Sequence, residues 1–412
     1  MLCAQELATL ARDELKQLAE EGRQVEGLAE ALKVALAAGP DEDLLRAWFK
    51  LAERSASRPN WPYKEPSSLE QIRELRPDGP RYLGRPQNWQ QKLLGAWLGR
   101  CVGCMMGKPV EGRTKEEIRA YLDAAGMKWL NDYLPVVHRR PQGYPPPDSP
   151  LLRENITRSV RDDDTDYTVL ALHIAQQHGP DFSAADVAAE WLDHLPYHRV
   201  YTAERCAYRN LVAGIEPPQS ARVLNPYREW IGAQIRADLW GYWAAGWPEK
   251  AAELAFRDAC ISHTGNGIYG AMFAAALISA SFVTQSPRQA IEAAMAQIPA
   301  TSRLYQALGR CLEWAEKARN WTSTFAKIKR HYGGYHPVHT INNACIVAMG
   351  LLHSRGDFLR AVAIAVQAGW DTDCNGATVG SAMGAMLGPE AIPHHLVAPL
   401  NDTLETGLAG FG

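Results

Sequence analysis

Two widely separated segments of this chain carry the same glycine spacing, and that spacing constrains the fold more than any other feature. Gly95, Gly99, Gly103 and Gly107 recur every four residues, interleaved with Leu94, Trp97, Leu98, Val102 and Met106. Gly376, Gly380, Gly384 and Gly388 repeat the pattern, with Val379, Met383 and Leu387 between them. A step of four keeps the glycines on one helical face, and each costs about 1 kcal/mol relative to alanine in a helix interior. Such a stripe is tolerated where a neighbour must come very close, so both segments are expected as helices at the crowded centre of a bundle. A proline after each stripe (Pro109, Pro389) marks where the helix stops.

The remaining periodicity agrees. From Trp89 onward nearly every periodic segment repeats at 3.6 residues, with no strand alternation and no βαβ rhythm, which predicts an all-α main domain. Upstream, Leu7, Leu10, Ala11, Leu15 and Leu18 are helically spaced, Leu28, Leu32 and Leu36 follow, Gly39-Pro40 interrupts, and Asp41 caps a further helix through Leu44, Leu45 and Trp48. Two breakers, RSASRPNWPYKEPSS (54–68) and RPDGPRYLGRP (76–86), place a boundary there. Residues 1–85 read as an N-terminal helical extension and 86–412 as the main domain. The extension is expected to serve oligomer contacts or to cover a site. The proline-rich stretch 135–150 is expected as a long loop or flap.

Several function classes are excluded early. Lys plus Arg number 43 and Asp plus Glu 46, a net charge of −3, so there is no bulk basic field and no dedicated nucleic-acid binding is expected. Thr264 to Thr284 is long enough to cross a bilayer, but its Gly, Ala and Ser content predicts a buried helix, and no membrane association is expected. The start has acids at Glu6 and Asp13 and no apolar core of signal-peptide length, and the 8 cysteines form no dense framework. Reduced thiols and a cytoplasmic address are the expectation.

The chemistry concentrates in acidic clusters. Asp162, Asp163, Asp164 and Asp166 precede Leu170, Ala171 and Ile174 at helical spacing, so they occupy a helix N-terminus. Capping explains one or two aspartates there; four in five positions repel one another unless a cation joins them. Asp371 and Asp373 lie on a turn between an amphipathic helix ended by Gly369 and the second glycine stripe. Together the clusters supply about five carboxylates, a hard donor set suited to Mg²⁺, Mn²⁺ or Ca²⁺ rather than zinc. Two ions about 3.5–4 Å apart use that many comfortably. Cys101 and Cys104, the one zinc-like pair, lack a second pair and read as buried thiols. Glu111, just past the first stripe, reads as a surface charge, and His263 in Ser262-His263-Thr264-Gly265-Asn266-Gly267 as a cap.

These segments also resemble a known family. GAWLGRCVGCMMGKPVEG (95–112), the DDDTD run, SHTGNGIYGAMFAAALISA (262–280), HTINNA (339–344) and GDFLRAVAIAVQAGWDTDCNGATVGSAMGAMLG (356–388) stand in the order found in the ADP-ribosylglycohydrolase family, which includes the enzyme that reactivates ADP-ribosylated dinitrogenase reductase. The resemblance implies an all-α orthogonal helical bundle holding two Mg²⁺ or Mn²⁺ ions. It assigns ligand roles to Asp162, Asp163, Asp164, Asp371 and Asp373, with Cys374 where the family has a hydroxyl and Asn375 as an oxygen-bearing neighbour. It makes Glu111 an active-site residue and His263 substrate-facing. Gly103-Cys104 stands where the family often has Gly-Asp. The family's glycine-rich phosphate loop is replaced by Tyr227 to Gln234, in which Gly232 still aligns, with Arg236 just beyond.

The reading that follows is a dimetal glycosidase removing ADP-ribose from a protein or small-molecule acceptor. Glu111, Asp163 or Asp164 would act as base or proton donor, and His263, Gly265, Asn266, Gly232, Trp370 and Asn375 would contact the substrate. The altered phosphate loop keeps open a hydrolase of nucleoside-like or other ribosyl compounds, and a non-catalytic metal-stabilised scaffold is the third alternative.

Overall fold

The two glycine stripes lie against each other. In the computed structural model, which describes residues 2–37, 39–137, 140 and 142–411, the first stripe runs along helix Trp89–Gly107 and the second along Thr372–Leu387. The helices pack antiparallel with backbone against backbone. A Cβ added at Gly95 would fall 2.5 Å from the carbonyl oxygen of Gly384, at Gly99 2.2 Å from that of Gly380, and at Gly103 2.0 Å from that of Gly376. Gly107 meets the Thr372 carbonyl in the same way, at 2.1 Å. No side chain fits between these helices, which is the close approach that the spacing requires. Gly388, at φ +90°, caps the second helix, and its backbone still borders the first, its carbonyl carbon lying 2.8 Å from a Cβ added at Gly95.

Helix Asn266–Ser281 is buried along its whole length, and helix Pro248–Ala259 packs on it. Helices Thr340–Leu352 and Phe358–Ala368 pack on each other and against the second glycine helix. Among the described residues there is no strand, only isolated bridges, so the molecule is the all-α orthogonal bundle. The uncharged 264–284 stretch is core, and among the described residues no helix is long and apolar enough to cross a membrane. In the proline-rich segment, positions 138, 139 and 141 lie outside the described residues, as do 1, 38 and 412. The described part of that segment is not helical, and Tyr144 is buried there against Tyr121 at 4.9 Å.

At the N-terminus, helices Ala4–Glu20, Glu26–Ala37 and Glu42–Ala52 share a separate small core of Leu7, Leu10, Leu18, Leu32, Leu45, Trp48 and Phe49. Asp41 accepts from the Leu44 N–H at 2.9 Å, the cap that its position predicts. Polar contacts fasten these helices to the rest of the chain. Arg228 pairs with Glu14 at 2.7 Å and Glu21 at 2.8 Å, and Tyr227 donates to Asp13 at 2.8 Å.

Candidate active site

The antiparallel packing decides where the acids meet, because it sets the C-terminal end of one glycine helix beside the N-terminal end of the other. Thr372 Oγ1 donates to the Gly107 carbonyl at 2.8 Å across 265 positions of sequence. Gly112 donates to the Trp370 carbonyl at 2.9 Å, and Trp370 to that of Arg113 at 2.9 Å. Lys108 and Glu111 therefore stand beside Asp371 and Asp373.

Helix Asp163–His178 brings the third component to this junction. Asp162 is its N-cap and accepts from the Asp164 N–H at 2.9 Å. Asp166 faces away from the junction and fastens the C-terminal segment, pairing with Arg161 at 2.6 Å and accepting from the Thr406 hydroxyl at 2.8 Å and the Gly407 N–H at 2.7 Å. Asp162 and Asp164 join the glycine-helix junction in overlapping groups, and Asp163 lines the cavity beside them. Cys104 with Asp162 and Asp164, Asp164 with Asp373 and Cys374, and Glu111 with Asp371 and Asp373 each bring their donor atoms within 4.8 Å of one another. Cys104, in the position where the family often has aspartate, thus borders the acids.

Charge within this cluster is only partly balanced. Lys108 Nζ touches Asp162 and lies 3.5 Å from Asp373 and 3.8 Å from Glu111. Buried Arg100 donates to the Asp164 carbonyl at 2.6 Å and to Asp238 at 2.6 Å, and its guanidinium lies 3.4 Å from the Asp164 carboxylate. These two cations face the carboxylates of Glu111, Asp162, Asp163, Asp164, Asp371 and Asp373. Burial holds Asp164 and Asp371 well above the usual carboxylate range and takes Asp163 up to about 7. The Asp373 carboxylate, with burial adding to it, pushes half-exposed Glu111 up to about 8. Burial also works against ionised Asp162, but Lys108 and the Asp164 N–H outweigh it and keep that carboxyl low. Asp373 Oδ1 is buried without a partner. Carboxyls crowded enough to hold protons near neutrality, with one carboxylate oxygen orphaned among them, are the donor set that a hard divalent cation satisfies by displacing those protons.

A cavity of about 360 Å³ opens on the cluster. Lys108, Glu111, Asp163, Asp164, Asp371, Asp373 and Cys374 form its acidic wall; Tyr201, Trp230 and Gly232 stand among the remaining lining residues. The Trp230 ring is braced by His336, stacked at 4.0 Å. Gly232 leaves room for a carboxylate: a Cβ there would sit 2.0 Å from Glu204 Oε1. Glu204 in turn holds Arg236 at 2.5 Å, and Arg236 also bonds Asp258 at 2.8 Å and Ser262 at 2.8 Å, so its guanidinium is engaged inside the protein.

Five residues singled out from the sequence lie off this wall. His263 is buried against Ser262 at 2.8 Å, and burial drives its pKa well below the ordinary value, so it is neutral. The Asn266 amide donates to Glu229 at 2.8 Å and accepts from the Leu304 N–H at 3.0 Å. Gly265 lines a different groove, shared with the N-terminal helices. Trp370, at φ +69°, packs near Phe325 at 5.7 Å. Asn375 donates to Asn343 at 2.8 Å. The side-chain hydrogen bonds of His263, Asn266 and Asn375 go to protein partners, while His263 Nε2 and Asn375 Oδ1 are buried without one. Conversely, sequence reasoning alone misses Lys108, Arg100, Tyr201 and Trp230. Arg100 had a legible signal, being the one charge between Leu93 and Gly107; Trp230 had none beyond its place in the altered loop.

The sequence profile of the ADP-ribosylglycohydrolase family matches residues 85–410. No curated protein matches the chain. Among solved structures, one described as an ADP-ribosylglycohydrolase-related protein complex is similar over 77% of this chain and 100% of its own, at 19% identity and a TM-score of 0.48.

Proposed function

The chain belongs to the ADP-ribosylglycohydrolase family and is a glycosidase, and from that premise we propose that it hydrolyses the bond between ADP-ribose and a protein or small-molecule acceptor with two Mg²⁺ or Mn²⁺ ions. The observation that carries this reading is the crowding of carboxyls at one place: Glu111, Asp163, Asp164, Asp371 and Asp373 line one cavity, and Asp162 is buried beside Asp164 and Lys108. Asp162, Asp163, Asp164, Asp371 and Asp373 would hold the ions, with Cys374 at the edge. When bound, divalent ions supply a grip on vicinal sugar hydroxyls and make a nearby water a better acid.

The side chains supply the rest. Cleavage of a glycosidic bond passes through an oxocarbenium-like transition state, which those wall carboxyls that are ionised once metal is bound would stabilise, and a proton must reach the leaving group. Asp163 and Glu111 line the cavity and hold protons near neutrality, so they are the groups placed to move that proton. Trp230 and Tyr201 offer aromatic faces for a base or sugar.

One observation favours a second reading, a nucleoside-like or other ribosyl substrate. The cations on the cavity wall, Lys108 and Arg161, are each paired to an aspartate, and Arg236 is engaged with Glu204 and Asp258. A volume of about 360 Å³ is also at the small end for ligand pockets. The test is a release assay with Mg²⁺ or Mn²⁺ on arginine-, serine- and nucleic-acid-linked ADP-ribose, with nucleosides alongside. Release of ADP-ribose supports the first reading; turnover of nucleosides alone replaces it with the second.

A further inference from the structure

Away from the acidic cavity, we propose that His173, Glu190 and His194 form a separate site for a zinc-class divalent cation, which clamps the C-terminal segment onto the bundle. His173 lies in helix Asp163–His178, and Glu190 and His194 lie one turn apart in helix Ala184–His194. Both imidazole Nε2 atoms converge on one oxygen: His173 Nε2 and His194 Nε2 are each 3.2 Å from Glu190 Oε2. All three donor atoms lie within 4.8 Å of one another. Ligands about 2.0–2.1 Å from a tetrahedral zinc are separated by roughly 3.3–3.4 Å along the tetrahedron's edge, so both Glu190 separations already match.

Tautomer chemistry gives an independent argument. His194 Nδ1 lies 2.9 Å from the Ala409 carbonyl oxygen, which can only accept, so Nδ1 carries the proton. Nε2 is then the nitrogen left facing Glu190 Oε2, at 3.2 Å, and it is the atom that a bound cation would take as its ligand. A carbonyl at the distal nitrogen is also the outer contact that orients metal-bound histidines. His178 Nε2 at 2.8 Å from Glu190 Oε1 fixes the other carboxylate oxygen in the same way.

The arrangement has a clear mechanical consequence. The Ala409 N–H bonds back to the His194 carbonyl at 2.8 Å, and Phe411 packs edge-on against both histidine rings at 5.2 Å. Holding His194 in place therefore holds residues 409–411. The site is distinct from the acidic cavity: nine helical residues separate Asp164 from His173, roughly 14 Å along the axis. The side chains are 22% and 24% exposed at the histidines and 13% at Glu190, so an ion can enter from solvent.

The experiment is calorimetric titration of chelator-stripped full-length protein with Zn²⁺ under saturating Mg²⁺, repeated on His194→Ala, Glu190→Gln and Asp373→Asn. The proposal expects one equivalent of Zn²⁺ bound by the wild type and by Asp373→Asn, with affinity at least 10-fold weaker in His194→Ala and Glu190→Gln. Zn²⁺ should also slow amide exchange in residues 404–411, a readout available in Glu190→Gln, which keeps its shape. Equal affinity in all four proteins, or loss in Asp373→Asn alone, overturns it.

Discussion

Replacing Gly103 with alanine inverts the usual rule that alanine is the better helix residue. In an open helix the exchange gains about 1 kcal/mol. Here the new Cβ would lie 2.0 Å from the Gly376 carbonyl oxygen, while ordinary contact begins at 3.4 Å, so the helices must part by about 1.4 Å. The obstacle is backbone, which cannot swing aside, and widening one step loosens the neighbouring glycine contacts as well. Overpacking of this kind costs about 1–3 kcal/mol, and the lost packing around it adds to that; a net loss of about 2–4 kcal/mol is the working figure. At about 2.1 cal/mol/K of unfolding entropy per residue, roughly 0.9 kcal/mol/K over 412 residues, Tm should fall by about 2–5 °C. Gly27, in helix Glu26–Ala37, has nothing within 4 Å of its would-be Cβ and provides the control: Gly27→Ala should leave Tm unchanged or raise it by about 1 °C. Calorimetric melts of both variants decide the matter. Because Gly103 lies near the Lys108–Glu111 end of its helix, Gly103→Ala should also weaken Mn²⁺ binding. A Gly103→Ala protein as stable as Gly27→Ala would refute the argument that backbone contact between the two stripes builds the site.

Other outcomes follow from the same geometry. The folded metal-free protein keeps a proton on Asp163 up to about pH 7, whereas an unfolded chain releases it near 4; its stability should therefore fall as pH rises between those values. Thermal melts should show that slope reduced in Asp163→Asn and in wild type saturated with Mg²⁺; parallel curves for all three would contradict it. Arg100→Met leaves Asp164 and Asp238 buried without their partner, and a loss of about 3–5 kcal/mol is expected in urea unfolding. Trp230→Ala removes an aromatic wall and should raise KM with a smaller change in kcat, read from steady-state kinetics on whichever ribosyl substrate is turned over.

What could be read from the sequence was whatever is expressed at short spacing. The glycine stripes and the Asp162–164 run declare themselves within a few residues because helix geometry repeats every turn, and the all-α bundle follows from the same periodicity. The division of labour inside the acidic run was not readable. Asp166 differs from Asp164 only by its place on the helix, and its partners Thr406 and Gly407 are 240 positions or more away. His263 and Asn266 stand in a Gly-rich motif from which substrate contact was expected, but their side chains are buried against Ser262, Glu229 and Leu304. The His173, Glu190 and His194 group was invisible for a related reason: its members occupy two helices and match no short ligand motif. Trp230 lies in a segment with no helical or strand period, so only tertiary contact with His336 reveals its role.

The most direct measurement is Mn²⁺ binding and ribosyl-bond hydrolysis recorded on the same chelator-stripped samples of wild type, Asp163→Asn and Asp373→Asn. The account predicts two Mn²⁺ ions and metal-dependent turnover in the wild type, with both lost together in the variants. Full turnover without added metal, or in Asp373→Asn, would contradict it.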